Sequence, residues 1–277
     1  MATHAQPGTR APANLSGITT AMPAIAPIHD ESPPCLSEGW VVHALRETGS
    51  TNNAASRLPS WHAVRAQVQT EGRGRTGRHW VSDEGGLWLS AVVPCPGSRA
   101  KWSILPLAAG WAFIAALQDF GAPDLRLRWP NDIMTGPRKL AGLLVERYTD
   151  DTAVVGVGVN IFNAPDAAEP ALAGQTARLA DLVPGGYTLE DVMRLLLRSL
   201  GRAHTLIRQD GFGAIADELN RRWGKPRLVA VTLSGRAATF TGLFHGIDQG
   251  GRLLLATERD GLRAYDPTQV ALLRELE

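Results

Sequence analysis

The sequence predicts a mixed α/β body followed by a small β-rich unit, and three observations carry that reading. Up to about residue 224, segments with apolar residues at every second position alternate with segments of helical period. From about Pro226 the pattern changes to short strands separated by Gly- and Asp-containing turns. A chain of 277 residues is long enough for one large domain and one small one with a substantial core. The expected division is a disordered leader over 1–39, a catalytic body over 40–224 and a C-terminal β-unit over 225–277.

Composition excludes several classes. With 28 basic against 27 acidic residues, no global field draws the chain to nucleic acid or to an anionic membrane, so any cationic site is local. Cys35 and Cys95 form no disulfide framework and lack metal-ligand spacing, which favours a reducing cytoplasm. No apolar run is expected to approach the span of a bilayer, and no continuous apolar segment follows Arg10 as a secretory signal requires. Pro7, Pro12, Pro23, Pro27, Pro33 and Pro34 break any regular element in the leader. Such a segment cannot supply the packed helices of a helix-turn-helix module, so DNA binding is not expected.

Order is expected from Trp40, with a strand over Trp40–Leu45 and a helix from Ser50 and Thr51 through Arg57, ended by Pro59. Ser50 and Thr51 read equally well as ordinary caps or as groups gripping an anionic or amide-bearing ligand. Ala63–Gln69 alternates as a half-buried strand, and Gly86–Val93 is a second strand closed by prolines. Ser103–Phe120 has helical spacing, stopped by Gly121, with Trp111 in the core. Leu125, Leu127 and Trp129 share a strand face, and Pro130 ends that strand so that Asn131 and Asp132 stand at its tip. Lys139–Glu146 and Thr152–Ile161 read as a hairpin. Gly156, Gly158 and Asn160 lie on one face of its second strand, a floor without side chains on which a ligand could lie flat or a helix pack closely. A loop over 163–186, helices over Leu189–Ile207 and Phe212–Trp223, and strands over 227–233, 238–247, 252–256 and 262–265 complete the reading.

The segment Gln69 to Trp80, QTEGRGRTGRHW, interleaves three glycines with three arginines. Bare backbone N–H groups and guanidinium forks offered together suit phosphate. Gly72, Gly74 and Gly77 also satisfy the dinucleotide spacing, but no helix opens at them and no acid lies near residues 93–101, so a nucleotide loop of another kind is the better reading.

Gly49-Ser50-Thr51-Asn52, EGRGRTGRHW, RWPNDI, KLAGLLVE and VGVGVNI, in that order, resemble the biotin protein ligases from about Val41 to the C-terminus. The resemblance implies a mixed-sheet catalytic domain like those of class II synthetases and lipoate ligases, followed by a small Src-homology-3-like barrel. It implies a cytoplasmic ATP-dependent ligase without an N-terminal DNA-binding domain, which activates biotin as biotinyl-5'-AMP and passes it to a lysine of a biotin carboxyl carrier protein. The biotin site it implies is Ser50, Thr51, Asn52, Gln69, Arg73, Gly74, Arg75, Lys139, Gly142 and Gly158. Arg75, Arg78, Trp80, Asn131, Asp132, Lys139 and Asn160 would face ATP or the adenylate. Lys139, Arg75 and Asp132 are the catalytic candidates, with magnesium near Asp132; the sequence leaves open whether the exposed sheet pairs with itself in a homodimer. Arg128 stands where many relatives have lysine, and Gly174-Gln175-Thr176-Ala177-Arg178 offers no aromatic residue where some relatives stack one on adenine. Three alternatives stand beside it: a lipoate or octanoate ligase, disfavoured by the glycine loop joined to RWPND; a biotin-responsive repressor, disfavoured by the proline-rich leader and the balanced charge; and a non-catalytic biotin binder, which would not require Lys139, Asp132 and the arginine loop together.

Overall fold

The computed structural model describes residues 34–163, 165–236 and 238–276. Cys35–Ser37 (β1) pairs antiparallel with Trp40–Thr48 (β2) through a turn in which Glu38 and Gly39 both take positive φ. Order therefore begins inside the span expected as a disordered leader, because this turn lets residues 35–37 satisfy their backbone groups against β2. Residues 1–33 of that span lie outside the described residues.

The short helix Thr51–Ala55 (α1) crosses from β2 to the parallel strand His62–Gln69 (β3), which pairs antiparallel with Leu87–Pro94 (β4). Arg99–Trp102 (α2) and Leu105–Asp119 (α3) follow. Leu125–Arg128 (β5), Asp132–Thr135 (β6), Arg138–Glu146 (β7) and Thr152–Val159 (β8) complete an eight-stranded mixed sheet of order β1-β2-β3-β4-β8-β7-β6-β5. Strand β6 is a departure from expectation. Pro130 ends β5, but the chain turns at the cis Trp129–Pro130 bond and pairs Asp132 with Arg128, so Asp132 opens a strand whose Ile133 and Met134 are buried.

The sheet is covered unequally. After Pro165–Ala168 (α4), the long helix Leu189–Arg208 (α5), started by a reciprocal Thr188/Asp191 capping box, and Phe212–Trp223 (α6) pack with α3 on one face. Leu89, Val93 and Val157 from the strands meet Leu105, Phe113, Leu196 and Ile215 from the helices in that core. The span 99–119 is long and apolar enough to cross a bilayer by length and composition, contrary to the sequence expectation. Most of its apolar window is buried between sheet and helices, which accounts for that composition. On the opposite face, among the described residues, α1 is the helix that packs, over Leu45, Val64, Ala66, Val92 and Val154. The rest of that face is left for the site.

Arg227–Leu233 (β9), Thr239–Ile247 (β10), Leu253–Thr257 (β11), Gly261–Tyr265 (β12) and Val270–Glu275 (β13) form a separate five-stranded antiparallel sheet of order β12-β11-β10-β9-β13. Four of these strands are read from the sequence; β13 is not, since only two of its residues, Val270 and Leu273, are buried. Indole groups fasten this sheet to the body. Trp223 Nε1 donates to Leu127 O at 2.5 Å while its ring meets Phe244 edge-on at 5.0 Å, and Trp129 Nε1 donates to Gly251 O at 3.1 Å. Trp223→Ala is expected to cost about 3–5 kcal/mol, the usual figure for removing a buried indole, and Trp223→Phe distinctly less. Urea denaturation of the three proteins checks the ranking.

Candidate functional site

Two paired glycines make the floor. β7 and β8 set Gly142 opposite Gly158 and Leu144 opposite Gly156. A Cβ on Gly158 would stand 2.6 Å from Trp80 Nε1, and one on Gly156 would stand 2.2 Å from Asn52 Oδ1. Those distances forbid any side chain there. Part of the floor expected to hold a flat ligand is thus taken by the protein's own indole and amide. Above it lies a cavity of about 660 Å³.

Every residue assigned from the sequence to biotin, to the adenylate or to catalysis borders this cavity, whereas Gly72 and Gly77 of the loop do not. Ser50, Thr51 and Asn52 come from the start of α1, Gln69 from the end of β3, and Arg73, Gly74, Arg75, Arg78 and Trp80 from the loop that follows. Asn131 and Asp132 come from the β5–β6 turn, Lys139 and Gly142 from β7, and Gly158 and Asn160 from β8 and its end. The loop leads into β4 and not into a helix, with only the 3₁₀ turn Arg75–Gly77 at its tip.

One end of the cavity is neutral and hydrogen-bonded. Gln69 Oε1 accepts from Thr51 N at 2.8 Å and from Thr51 Oγ1 at 2.9 Å, while its amide donates to Ser82 Oγ at 2.9 Å. The buried Ser90 hydroxyl lies 2.7 Å from Thr51 Oγ1 and 2.6 Å from Asn52 Oδ1. Ser50 is the N-cap residue of α1 yet makes no side-chain cap bond, so the reading of Ser50 as an ordinary cap fails.

The other end is charged. Asp132 Oδ2 takes Arg128 at 2.6 Å and Asp132 Oδ1 takes Lys139 at 2.6 Å, and the Lys139 ammonium also stands 4.7 Å from the centre of the Trp80 ring. Burial alone would raise the carboxyl of Asp132, but the Lys139 and Arg128 charges and their hydrogen bonds outweigh it and hold the group below the ordinary carboxylate range. Burial draws the Arg75 guanidinium below its usual value, partly offset by Asp132.

The arginines do not all face the cavity's interior. Arg75 donates to Pro267 O at 2.5 Å and Val270 O at 2.8 Å, and Arg78 donates to Ala271 O at 2.7 Å, so the loop tip rests on the small sheet. Arg73 turns to the body, where its guanidinium meets Asn53, Glu146 and Tyr148. Asn131 braces two strands: its amide donates to Leu143 O at 2.7 Å and its carbonyl accepts from Leu143 N at 2.8 Å. The buried Asn160 accepts from Asn163 Nδ2 at 3.2 Å.

A resident magnesium does not fit Asp132. Mg²⁺ takes one or two free carboxylates plus phosphate oxygens, whereas both Asp132 oxygens already hold cations. Among the described residues no cluster of three or more His, Cys, Asp or Glu is placed to hold a metal. Two parts of the site escape the sequence reading. Ala271, Leu272 and Leu273 come into the site from β13, a strand not read from the sequence, and the segment Gly174–Thr176 joins the wall by pairing with Lys139. For the latter, the missing aromatic residue at 174–178 is the only signal the sequence offered.

A mixed-sheet domain open on one face is joined to a small antiparallel sheet and holds a cavity that is neutral at one end and cationic at the other, suited to a ligand with a neutral polar part and an anionic part. Residues 46–161 match the biotin/lipoate A/B protein ligase family. The biotin--[acetyl-CoA-carboxylase] ligase of Paracoccus denitrificans is 32% identical over 227 residues, which is 76% of this chain and 92% of that one. The bifunctional ligase/repressor BirA of Escherichia coli K12 is 33% identical, over 81% of this chain and 71% of that one. A solved biotin protein ligase from Aquifex aeolicus, in complex with biotin and ATP, superposes with a TM-score of 0.74, covering 85% of this chain and 99% of that one at 24% identity, a likeness of fold. The chain belongs to the biotin protein ligases, within the biotin/lipoate A/B protein ligase family.

Asp132→Asn is expected to destabilise by about 3–5 kcal/mol, because it leaves two partly buried cations without their anion. Since the folded pKa lies below 3.8, the Asp132 contribution is fully present above that value and is lost as pH falls below it. Denaturation curves against pH are therefore expected to fall more steeply below about pH 4 in the wild type than in Asp132→Asn.

Proposed function

We propose that the protein activates biotin with ATP and transfers it to a lysine of a biotin carboxyl carrier protein, the acceptor subunit of an acetyl-CoA carboxylase. The observation that carries this reading is the two-ended cavity. Thr51, Asn52 and Gln69 offer amides and hydroxyls to a neutral polar head, and Lys139, Arg128 and Asp132 stand where a carboxylate and a phosphate would meet.

In the first step a biotin carboxylate oxygen attacks the α-phosphorus and pyrophosphate leaves with the bonding pair. With carboxylate pKa values near 4 the nucleophile is already ionised and needs no base. The obstacle is repulsion: two unit charges about 4 Å apart repel by roughly 4 kcal/mol at an effective dielectric of 20. Lys139, oriented by Asp132 and by the Trp80 ring, is placed to offset it. Any magnesium travels with the phosphates of the nucleotide, since Asp132 has no free oxygen to give it. For Arg75 and Arg78 to reach the same phosphate, they must exchange the carbonyls of Pro267, Val270 and Ala271 for it. That exchange would make the loop a lid over the mixed anhydride, keeping water out.

In the second step the acceptor amine attacks the acyl carbon, the bond from that carbon to the phosphate oxygen breaks, AMP leaves with the bonding pair, and the amine nitrogen loses its proton to solvent. Asp132, held ionised by two cations, is a weak acceptor for that proton, so its part in this reading is to fix Lys139. Two unpaired cysteines, one exposed and one buried, support a cytoplasmic setting, and the balanced charge supports a ligase without a DNA-binding role.

The deciding experiment supplies labelled biotin and ATP with a purified carrier domain. Label on the carrier lysine is the expected result; label that never leaves the ligase would reduce the protein to a binder. Competition by lipoate in ATP–pyrophosphate exchange separates the lipoate reading, with no competition expected. Lys139→Ala is expected to slow adenylate formation about 100-fold, the usual cost of one electrostatic donor, with biotin affinity changed far less. Arg75→Ala is expected to slow adenylation and to release intermediate into solution, both visible in single-turnover kinetics.

A further inference from the structure

Residues 72–80 form a self-paired ribbon. Trp80 N donates to Gly72 O at 2.9 Å and Gly74 N donates to Arg78 O at 2.7 Å, with Arg73 bridged to His79 across the ribbon. Its tip, Arg75 to Arg78, rests on backbone carbonyls of the small sheet, contacts that a phosphate can replace. Its base is held by different chemistry. The Arg73 guanidinium donates to Asn53 Oδ1 at 2.8 Å, to Glu146 Oε2 at 3.1 Å and to the Tyr148 hydroxyl at 3.1 Å. Tyr148 in turn donates to Glu146 Oε2 at 3.0 Å, which closes a ring of three side chains.

Glu146 reaches in two directions. Its Oε2 also accepts from Asn52 Nδ2 at 2.7 Å, and Asn52 is the residue lying on Gly156 at the neutral end of the cavity. The same carboxylate therefore joins the cavity floor to the base of the ribbon. Glu146 ends β7, whose pairing with β8 fixes it, and neither Glu146 nor Tyr148 borders the cavity. We propose that Glu146 and Tyr148 are positioning residues: they clamp Arg73 so that the ribbon pivots at a fixed base when its tip moves, and through Asn52 they tie that pivot to the neutral wall of the cavity. Arg73 then acts as the anchor of the lid. Burial, and then the neighbouring Glu146 charge, push the Tyr148 hydroxyl up to about 12, so it stays a donor to Glu146 throughout the working range of pH.

The inference rests on the biotin ligase reading for the chemistry of its readout, though not for the clamp itself. Loosening a clamp lowers the fraction of molecules competent to close, which raises apparent dissociation constants in proportion and leaves the chemical step at saturation nearly intact. In the full chain, Glu146→Gln is expected to raise KM for biotin and ATP and the release rate of the adenylate about tenfold, the size of one lost charge-assisted hydrogen bond, with kcat for ATP–pyrophosphate exchange within about twofold. Tyr148→Phe is expected to shift the same quantities about threefold, and the double variant to be no worse than Glu146→Gln by more than about twofold, since both act through Arg73. Unchanged KM and release in Glu146→Gln, or a fall confined to kcat, would overturn the proposal. Trypsin cleavage after Arg75 and Arg78 gives a second readout free of the reaction: both variants, at melting temperatures within a few degrees of wild type, are expected to be cut faster there. If the wild type shows no biotin-dependent exchange, the ligase reading fails by itself, and equal cleavage rates would then sink the clamp as well.

Discussion

The carboxylate of Asp132 lies 2.6 Å from both Arg128 and Lys139, and much of the molecule is arranged so that this triad can exist. The β5–β6 hairpin puts Arg128 opposite Asp132, and β6–β7 pairing puts Asp132 opposite Gly142, beside which the Lys139 ammonium has room. Three ionic groups drawn partly out of water are costly unless each is paired, so the hairpin geometry and the charge pattern support one another. The outcome is an ammonium with a fixed position at one end of a cavity whose other end is neutral.

The cavity exists because the large sheet is covered unequally. Helices α3, α5 and α6 pack the main core against one face, while α1 covers a patch of the other. The open remainder is walled by three pieces distant in sequence: the 72–80 ribbon, the 174–176 segment and the outer strand of the small sheet. The ribbon and the 174–176 segment lie outside the hydrophobic core, whereas β13 buries Val270 and Leu273 in it, so only the first two are loose walls. Walls of this kind can move without disturbing the packing that sets stability. The small sheet, fastened to the body through Trp223 and Trp129, supplies carbonyls to the same arginines that must later meet phosphate.

Reading order from local pattern worked where one chemical requirement dominated. The helix Phe212–Trp223 and the strand Arg227–Leu233 have the bounds expected of them, since their apolar period is regular and their ends are marked. The strand Asp132–Thr135 was hidden because four residues carry too little period, and the proline before it reads as a stop. The last strand was hidden for another reason: Val270–Glu275 earns its place by pairing with β9, and such pairing leaves little trace in composition. The leader was drawn too long because a three-residue edge strand is invisible beside many prolines.

By itself the sequence determined the inventory of the site. Glycines at 142, 156 and 158, the arginine-glycine loop and the pair Asp132 and Lys139 are chemical types whose cost elsewhere in a fold restricts what they can be for, and every residue assigned from the sequence to ligand or catalysis borders one cavity. Only the tertiary structure decided which way those side chains face. Arg73 turns to Glu146 and Tyr148, Arg75 and Arg78 to the small sheet, and Asp132 to two cations at once. The physical reason is that a charged side chain takes whichever partners the packed chain brings within about 3 Å, and those partners lie 73 to 195 residues away in the sequence for the three arginines, though only 4 and 7 away for Asp132.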